Sequence, residues 1–554
     1  MSDDRPLPVP APASDERPLV PFDERPVGIS HDEKPVGGGA SLSHDERPLP
    51  GMSAEDKPLP LRDTSNDPFG AEEAGACAAP PLRGGAWSVA ALNFNSKRVP
   101  FSPFDEEADG KLGSVYTRLT ETLVARGDWD RRGAMRNKAT GEQKLPPSFS
   151  LLLGTAQGKG ITWGRLGYGI WPPPLVNYCR GFDMLTRKGK MAATLEVAKE
   201  DCGGAWPAGM PEALTSGACL RGDDAWELAP ASFIFHPSKG DANPREALRE
   251  AYAASAASVG ADAPEKNRWI LKPSEGAKGE GIFIETSLEA IEEHLTKQEE
   301  RAAEGDAVSS WVVQKYIHNP LLLRDGSRKF DMRCWVLVDA DYGIHLYRHG
   351  VLRVASAAYD ASNIANRFSH LTNHCIATEH AEYGKFEPTN EKFYPSFDEE
   401  LAERFPELAE AACGVGLFGG SSAPDATRGS VMETVVLPQI RRHVVQSLLA
   451  ARERLQSDGE YYRPFQLFGY DFLLDDELRV WLCEINASPA VADELLPGLV
   501  DALIRTAIDP ICAPNDEMLA TGDRDAYAAA AAAVGSGERF ECICAAAKPP
   551  SDEQ

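Results

Sequence analysis

Apolar positions along the chain fall into runs that predict its elements. Residues 1 to about 85 differ from the rest. They carry one aliphatic residue per short polar unit with recurrent proline, which builds neither helix nor central strand. Order is expected from Trp87. Residues 114–124 read as a helix ending near Gly127, and 182–199 as a second. Between 265 and 360, strand-like runs at 269–272, 281–285, 311–316, 329–339 and 344–347 surround one helix-like segment, 287–303. Gly350 is expected to make a turn flanked by Arg348 and Arg353. A helix-like stretch at 431–455 leads to two aromatic, apolar runs, 465–474 and 480–489. The acidic turn Asp475-Asp476-Glu477 joins them into a β-hairpin, and 492–508 reads as a closing helix.

This pattern divides the chain into a Pro-rich repeat segment (1–85), an N-terminal domain (86–210), a larger region (211–513) with a flexible Gly/Ser insertion at 413–430, and a loose Ala-rich tail (514–554). The repeats are Asp3-Asp-Arg-Pro-Leu, Asp15-Glu-Arg-Pro-Leu, Asp23-Glu-Arg-Pro-Val, Asp32-Glu-Lys-Pro-Val, Asp45-Glu-Arg-Pro-Leu and Glu55-Asp-Lys-Pro-Leu. Their irregular spacing rules out a solenoid. They read either as a spacer or as an array of short motifs acting together.

The hairpin carries the chemistry. Asp471, Glu484 and Asn486 lie inside its apolar runs, and Glu484 and Asn486, two residues apart, share a strand face. A buried carboxylate needs compensation. Oxygen donors of these types suit Mg²⁺, which in such sites commonly accompanies nucleotide phosphate. The other reading of the same pattern is a half-exposed hairpin whose polar face meets water. Residues 269–284 form a strand, a glycine-rich loop and a strand, with Lys272 and Lys278 available to phosphate. No Walker A motif is present. Gln314 on the next strand could bond a nucleotide base, or belong to a plain core strand. Lys329, Asp331 and Arg333 alternate on one strand face, as a lined cleft or a salt-bridged exposed face would require.

Charge narrows the partners. A net charge of −27 disfavours nucleic acid. There is no run of transmembrane length and no signal-peptide pattern, and eleven scattered cysteines suggest a reducing, cytoplasmic setting. Against this acidity, residues 158–199 hold seven Lys or Arg and two acids. The excess is either a solvated helix face or a landing site for an acidic partner.

Together these segments resemble the tubulin–tyrosine ligase family over roughly 86–512. The motifs carrying the resemblance lie at 269–284, 311–323, 328–339, 347–353, 370–376 and 465–489. Ser114-Val-Tyr, Leu175-Val-Asn-Tyr-Cys-Arg-Gly181 and Leu185-Thr-Arg-Lys188 look most like the tyrosine-adding branch, as do His374 after Thr-Asn and Ala487 after Glu-Ile-Asn. The resemblance implies an α+β or α/β fold with an ATP-grasp-like catalytic core behind a small α/β N-terminal domain. It implies ATP and Mg²⁺ as cofactors, the acidic C-terminal tail of α-tubulin and free tyrosine as partners, and a cytoskeletal location. Tyrosine would join the tail carboxylate through an acyl phosphate. The alternatives are a polyglutamylase or polyglycylase, or a non-catalytic tubulin-binding relative.

By resemblance, ATP would be held by Lys188, Lys272, Lys278, Gln314, Lys315, Tyr316, Ile317, Lys329, Asp331, His370, Thr372 and Asn373. Asp471, Glu484 and Asn486 would bind the metal. Arg333, Arg353 and Glu484 would be catalytic, and Arg180, Arg187 and Lys159 would receive the tubulin tail.

Overall fold

The computed structural model describes residues 87–91, 115–127, 129–133, 135–136, 143–144, 149–154, 166–170, 172–216, 225–260, 266–275, 279, 281–419, 427–455, 461–512 and 539–545. The chain divides at Leu49, and all of these residues belong to the second unit. The N-terminal repeats, Lys159, Lys278 and most of the Ala-rich tail lie outside the described residues. The fold is mixed α/β, as the apolar pattern implies.

A five-stranded parallel sheet comes first. Its order is Arg463–Pro464, Leu175–Val176, Leu151–Leu153, Trp87–Ala91, Trp129–Gly133. Helix α1 (Val115–Ala125) buries Val115, Leu119 and Leu123, and Gly127 follows with φ +83°. The positive φ explains the stop. The predicted boundary near 210 is not clean, because Arg463–Pro464 returns from the far end of the chain to extend this sheet. Cys179 N also donates to Gln466 Oε1 at 3.0 Å. The helix expected over 182–199 is two helices, Asp183–Thr186 and α2 (Lys188–Asp201), broken at the extended Arg187. The break lets Gly189 N donate to Ser274 Oγ at 3.1 Å, where a Cβ would sit 2.9 Å from that oxygen.

A four-stranded antiparallel sheet follows, built from β1 (Ser232–Phe235), β2 (Trp269–Pro273), β3 (Phe283–Glu285) and β4 (Trp311–Lys315) in the order β1-β4-β2-β3. Its alternation decides its faces. Trp269, Leu271, Trp311 and Val313 pack with Leu248 of α3 (Arg245–Val259) and with Ile291 and Leu295 of α4 (Leu288–Ala303). Lys272, Val312 and Gln314 face the other way. Ser287 caps α4 by accepting from Ala290 N.

The third sheet holds β5 (Arg328–Val338), β6 (Ile344–Ala358), β7 (Glu391–Phe393), β8 (Gln466–Leu474), β9 (Val480–Asn486) and β10 (Phe540–Cys544). Its antiparallel order is β7-β6-β5-β8-β9, with β10 also pairing β6. Every residue of β5 is buried. Two expectations are corrected here. Gly350 is no turn: it lies inside β6, where a Cβ would fall 2.2 Å from Tyr394 Cζ, so glycine admits a tyrosine ring against the strand. The tail is not loose throughout, since Phe540–Cys544 pairs with β6 and packs Phe540 on Tyr347, ring centroids 5.3 Å apart. Of its two cysteines, Cys542 is exposed and Cys544 buried.

The helix expected over 431–455 starts as a π turn, Met432–Val436, before α5 (Leu437–Ala450) and a short Arg452–Leu455 turn. Pro438 has no N–H to give Thr434 O, so an α-helical ladder cannot run unbroken through it, while the first turn of α5 tolerates it. Likewise 492–508 becomes α6 (Leu496–Leu503), with Pro497 in its first turn, and a π turn, Ile504–Ile508. The 413–430 stretch is described only at its ends, where Gly429 N and Ser430 N bond to Ala409 O and Val415 O. No helix among the described residues is long and apolar enough to cross a membrane.

Candidate active site

Strand register assembles the site. Glu391, Arg353 and Asp331 are cross-strand neighbours on β7, β6 and β5. Arg333, Asp471 and Glu484 are neighbours on β5, β8 and β9. Asp331 and Arg333 are two apart on β5, so all six charged side chains share one face.

Arg333 holds Asp471 in a fork, Nε to Oδ1 at 2.5 Å and Nη2 to Oδ2 at 3.0 Å. Arg353 spans two carboxylates, Nε to Asp331 Oδ1 at 2.7 Å and Nη2 to Asp471 Oδ2 at 2.8 Å. Thr372 donates to Asp331 Oδ2. Burial alone would raise the Asp471 carboxyl, but Arg333 and Arg353 overcome it and hold it at about 2. Burial raises Asp331 against the pull of Arg353.

Asn486 Nδ2 lies 3.1 Å from Asp471 Oδ2 and 3.2 Å from Glu484 Oε1, so the two carboxylates converge on one polar point. Lys188 Nζ stands 3.4 Å from Glu484 Oε2. The donor set, two carboxylates and an amide that offers its oxygen once turned, fits a hard divalent cation. Among the described residues, no group of three or more His, Cys, Asp or Glu has metal-binding geometry. Any cation would therefore need Asn486 and water or phosphate oxygens to complete its shell.

Beside this row opens a cavity of about 860 Å³ lined by Lys188 and Lys199 of α2, by Lys272, Gln314, Lys315 and Ile317 near the small sheet, and by Trp481 and Cys483 of β9. Lys272 Nζ donates to Gln314 Oε1 at 2.8 Å, and Gln314 Nε2 to Ser232 Oγ at 2.9 Å. Burial lowers the Lys272 ammonium, with Lys188 and Lys329 adding to the effect. Lys315 donates to Asn267 Oδ1 at 2.9 Å, and burial and Arg268 bring it to about 8.

The remaining expected nucleotide residues form an adjoining polar chain. Lys329 Nζ donates to Tyr316 OH at 3.0 Å, Tyr316 OH meets His370 Nδ1 at 2.9 Å, and His370 Nε2 meets Asn363 O at 3.1 Å. Burial, then Lys329, lowers His370 to about 4, so it is neutral at pH 7 and its Nε2–H donates to the carbonyl. Asn373 and Ile376 lie under Gly279 of the glycine-rich loop. Gly279 has φ +78°, and a Cβ there would fall 2.6 Å from Ile376 Cδ1. That segment of the loop is thereby seated over the 370–376 turn.

The expected basic surface is largely engaged. Arg187 pairs with Glu275 at 2.6 Å, Lys190 with Asp183 at 2.7 Å and Lys188 with Glu484. Arg180 is partly buried and also has partners. Ser232, Asn267 and Glu391 escaped the sequence reading. Each is placed by cross-strand register or by a loop contact, and none sits in a local motif.

A family model described as "Tubulin-tyrosine ligase family" matches residues 220–407 and 423–521, just over half of the chain. The chain belongs to the tubulin–tyrosine ligase family. Its fold is consistent with an ATP-grasp-type core. It is similar to "Tubulin glycylase 3C" of Tetrahymena thermophila, 29% identical over 44% of this chain and 21% of that protein. It is 31% identical to "Tubulin glycylase 3D" of the same organism, over 45% and 21%. "Probable tubulin polyglutamylase ttll-9" of Caenorhabditis elegans is 29% identical over 41% and 47%. The match thus spans between about a fifth and about half the length of these relatives. None of these three carries the name of a tyrosine ligase, the branch suggested by the N-terminal motifs, His374 and Ala487.

Proposed function

We propose that this protein is an ATP-dependent carboxylate–amine ligase that attaches an amino acid to acidic tails of tubulin. The observation that carries the reading is the six-residue charge row across the large sheet, beside a lysine-lined cavity of nucleotide size. A carboxylate cannot acylate an amine while its leaving group is oxide. Passing the γ-phosphoryl of ATP to it makes phosphate the leaving group. Lys272 and Lys329 would neutralise phosphate charge, and Gln314 with the β4 backbone would orient the base. Asp471, Glu484 and Asn486 would hold Mg²⁺, which when bound supplies charge neutralisation on phosphate oxygens. Arg333 and Arg353 would stabilise the acyl phosphate on exchanging part of their hold on Asp471 and Asp331. The acceptor tail would approach near Arg180 and Arg187.

Glycine or glutamate is the donor that the glycylase and polyglutamylase relatives support. Tyrosine is the second reading, favoured by the motifs at 114–116, 175–181 and 185–188 outside the family match and by His374 and Ala487 within it. The deciding experiment supplies labelled glycine, glutamate and tyrosine, each with ATP, to purified tubulin. Incorporation of one identifies the donor. No ATP-dependent incorporation of any of them would overturn the ligase reading.

A further inference from the structure

An amino acid arrives as an α-ammonium, which has no lone pair for attack. A ligase of the proposed kind needs a group that holds this cation beside the acyl phosphate and removes a proton. We propose that Glu391 binds the incoming amine and acts as general base in the amide-forming step. This assignment rests on the ligase reading above.

Position carries the argument. Glu391 sits opposite Arg353 on β7, at the end of the charge row away from Glu484. The arginine beside it is already committed to Asp331 and Asp471. Among the described residues no hydrogen bond or ion pair reaches the Glu391 carboxylate, although it is half-buried; its bond to Thr389 uses the backbone N–H. A half-buried carboxylate left unpaired beside five partnered charges is an open seat for a cation. The charges that act on it are His374 of the 370–376 turn, Glu494 beyond β9, and Arg353 and Arg333 of its own sheet, of which Arg353 is its register neighbour. The second carboxylate reinforces attraction for an ammonium. Burial first, and Glu494 after it, raise the Glu391 carboxyl, which strengthens it as a proton acceptor.

The row then has a direction. The amine enters at Glu391, acyl phosphate forms over Arg353 and Arg333, and the metal-type donors lie at Asp471 and Glu484. Glu391 takes one ammonium proton. The freed nitrogen pair forms the C–N bond while the acyl C–O bond to phosphate breaks, and phosphate leaves with that electron pair. Of the two remaining protons on nitrogen, one stays on the amide and one goes to the leaving phosphate. Glu391 returns its proton to solvent.

The test separates the two half-reactions on a glutamate-rich tubulin-tail peptide with ATP. Hydroxylamine, neutral at pH 7, traps acyl phosphate as hydroxamate without a base. Glu391→Gln should keep hydroxamate formation near the wild-type rate. Amide formation with the labelled amino acid should fall about 10²–10⁴-fold, and the gap should narrow as rising pH supplies free amine. Retained hydroxamate also proves the variant folded. Equal loss of both products, or loss of neither, overturns the assignment. If the wild-type protein itself gives no hydroxamate, the ligase reading fails and takes this assignment with it.

Discussion

Asp471 is the residue on which the site turns. Two guanidinium groups and an amide all address it, and its carboxylate stays ionised down to about pH 2. Glu484 is more open than Asp471, and Lys188 and Asn486 are the partners that a bound cation would have to displace or turn. Glu484→Gln should cut ligation by about 10²–10³-fold with the fold retained; a folded variant turning over at the normal rate would remove Glu484 from the reaction. His370 makes a separate, pH-dependent prediction. Its imidazole titrates near 4 folded and about 6.5 unfolded. Between those values the unfolded chain binds more protons, so stability falls as pH drops from about 6.5 toward 4. Urea unfolding across that range should show uptake of up to one proton, lost in His370→Gln; an unchanged slope would mean that His370 is not held neutral. The sequence made Glu484 and Asn486 legible because their spacing on one strand is local. It left Glu391 and Ser232 hidden, because their meaning comes from the strand opposite.

Elements were legible where periodicity was local and misread where packing intervened. The hairpin, strands β2, β3 and β4 and helix α4 follow from local apolar runs, whereas β1 escaped the sequence reading. The break at Arg187 does not, because it serves a contact with Ser274 almost ninety residues away in sequence. Gly350 is the sharper case. A glycine between charged residues signals a turn, yet here it keeps a long strand flat against Tyr394. Tyr394 OH lies 2.9 Å from Cys334 Sγ and 3.5 Å from Arg333 O, so that ring supports the strand carrying Arg333 from beneath. Gly350→Val should cost about 3 kcal/mol of stability through overpacking, measured as a lower denaturant midpoint. Wild-type stability would show that Tyr394 can leave its place freely.

At the scale of the whole chain, we expect catalytic chemistry and the six N-terminal repeats to be separable. Every residue placed at the site lies between Arg180 and Glu494, and the family match begins at residue 220. Each repeat offers one acidic pair, one base, a proline and an aliphatic residue, too little apolar surface to form a core and enough chemistry for a weak contact. Repetition matters only when the partner is also repetitive, as a microtubule lattice is. Linked weak contacts then add avidity of about 10²–10⁴-fold with no contact strengthened. Deleting residues 1–85 should therefore leave ligation of a short tail peptide within about twofold, a change near 0.4 kcal/mol in barrier. The same deletion should weaken binding and turnover on assembled microtubules. Salt should reduce the wild-type advantage, since exposed charges are screened within about 8 Å at physiological ionic strength. The comparison is full-length against truncated protein on both substrates. A large loss on the short peptide would tie the repeats to the active site and move the boundary of the catalytic unit ahead of Trp87.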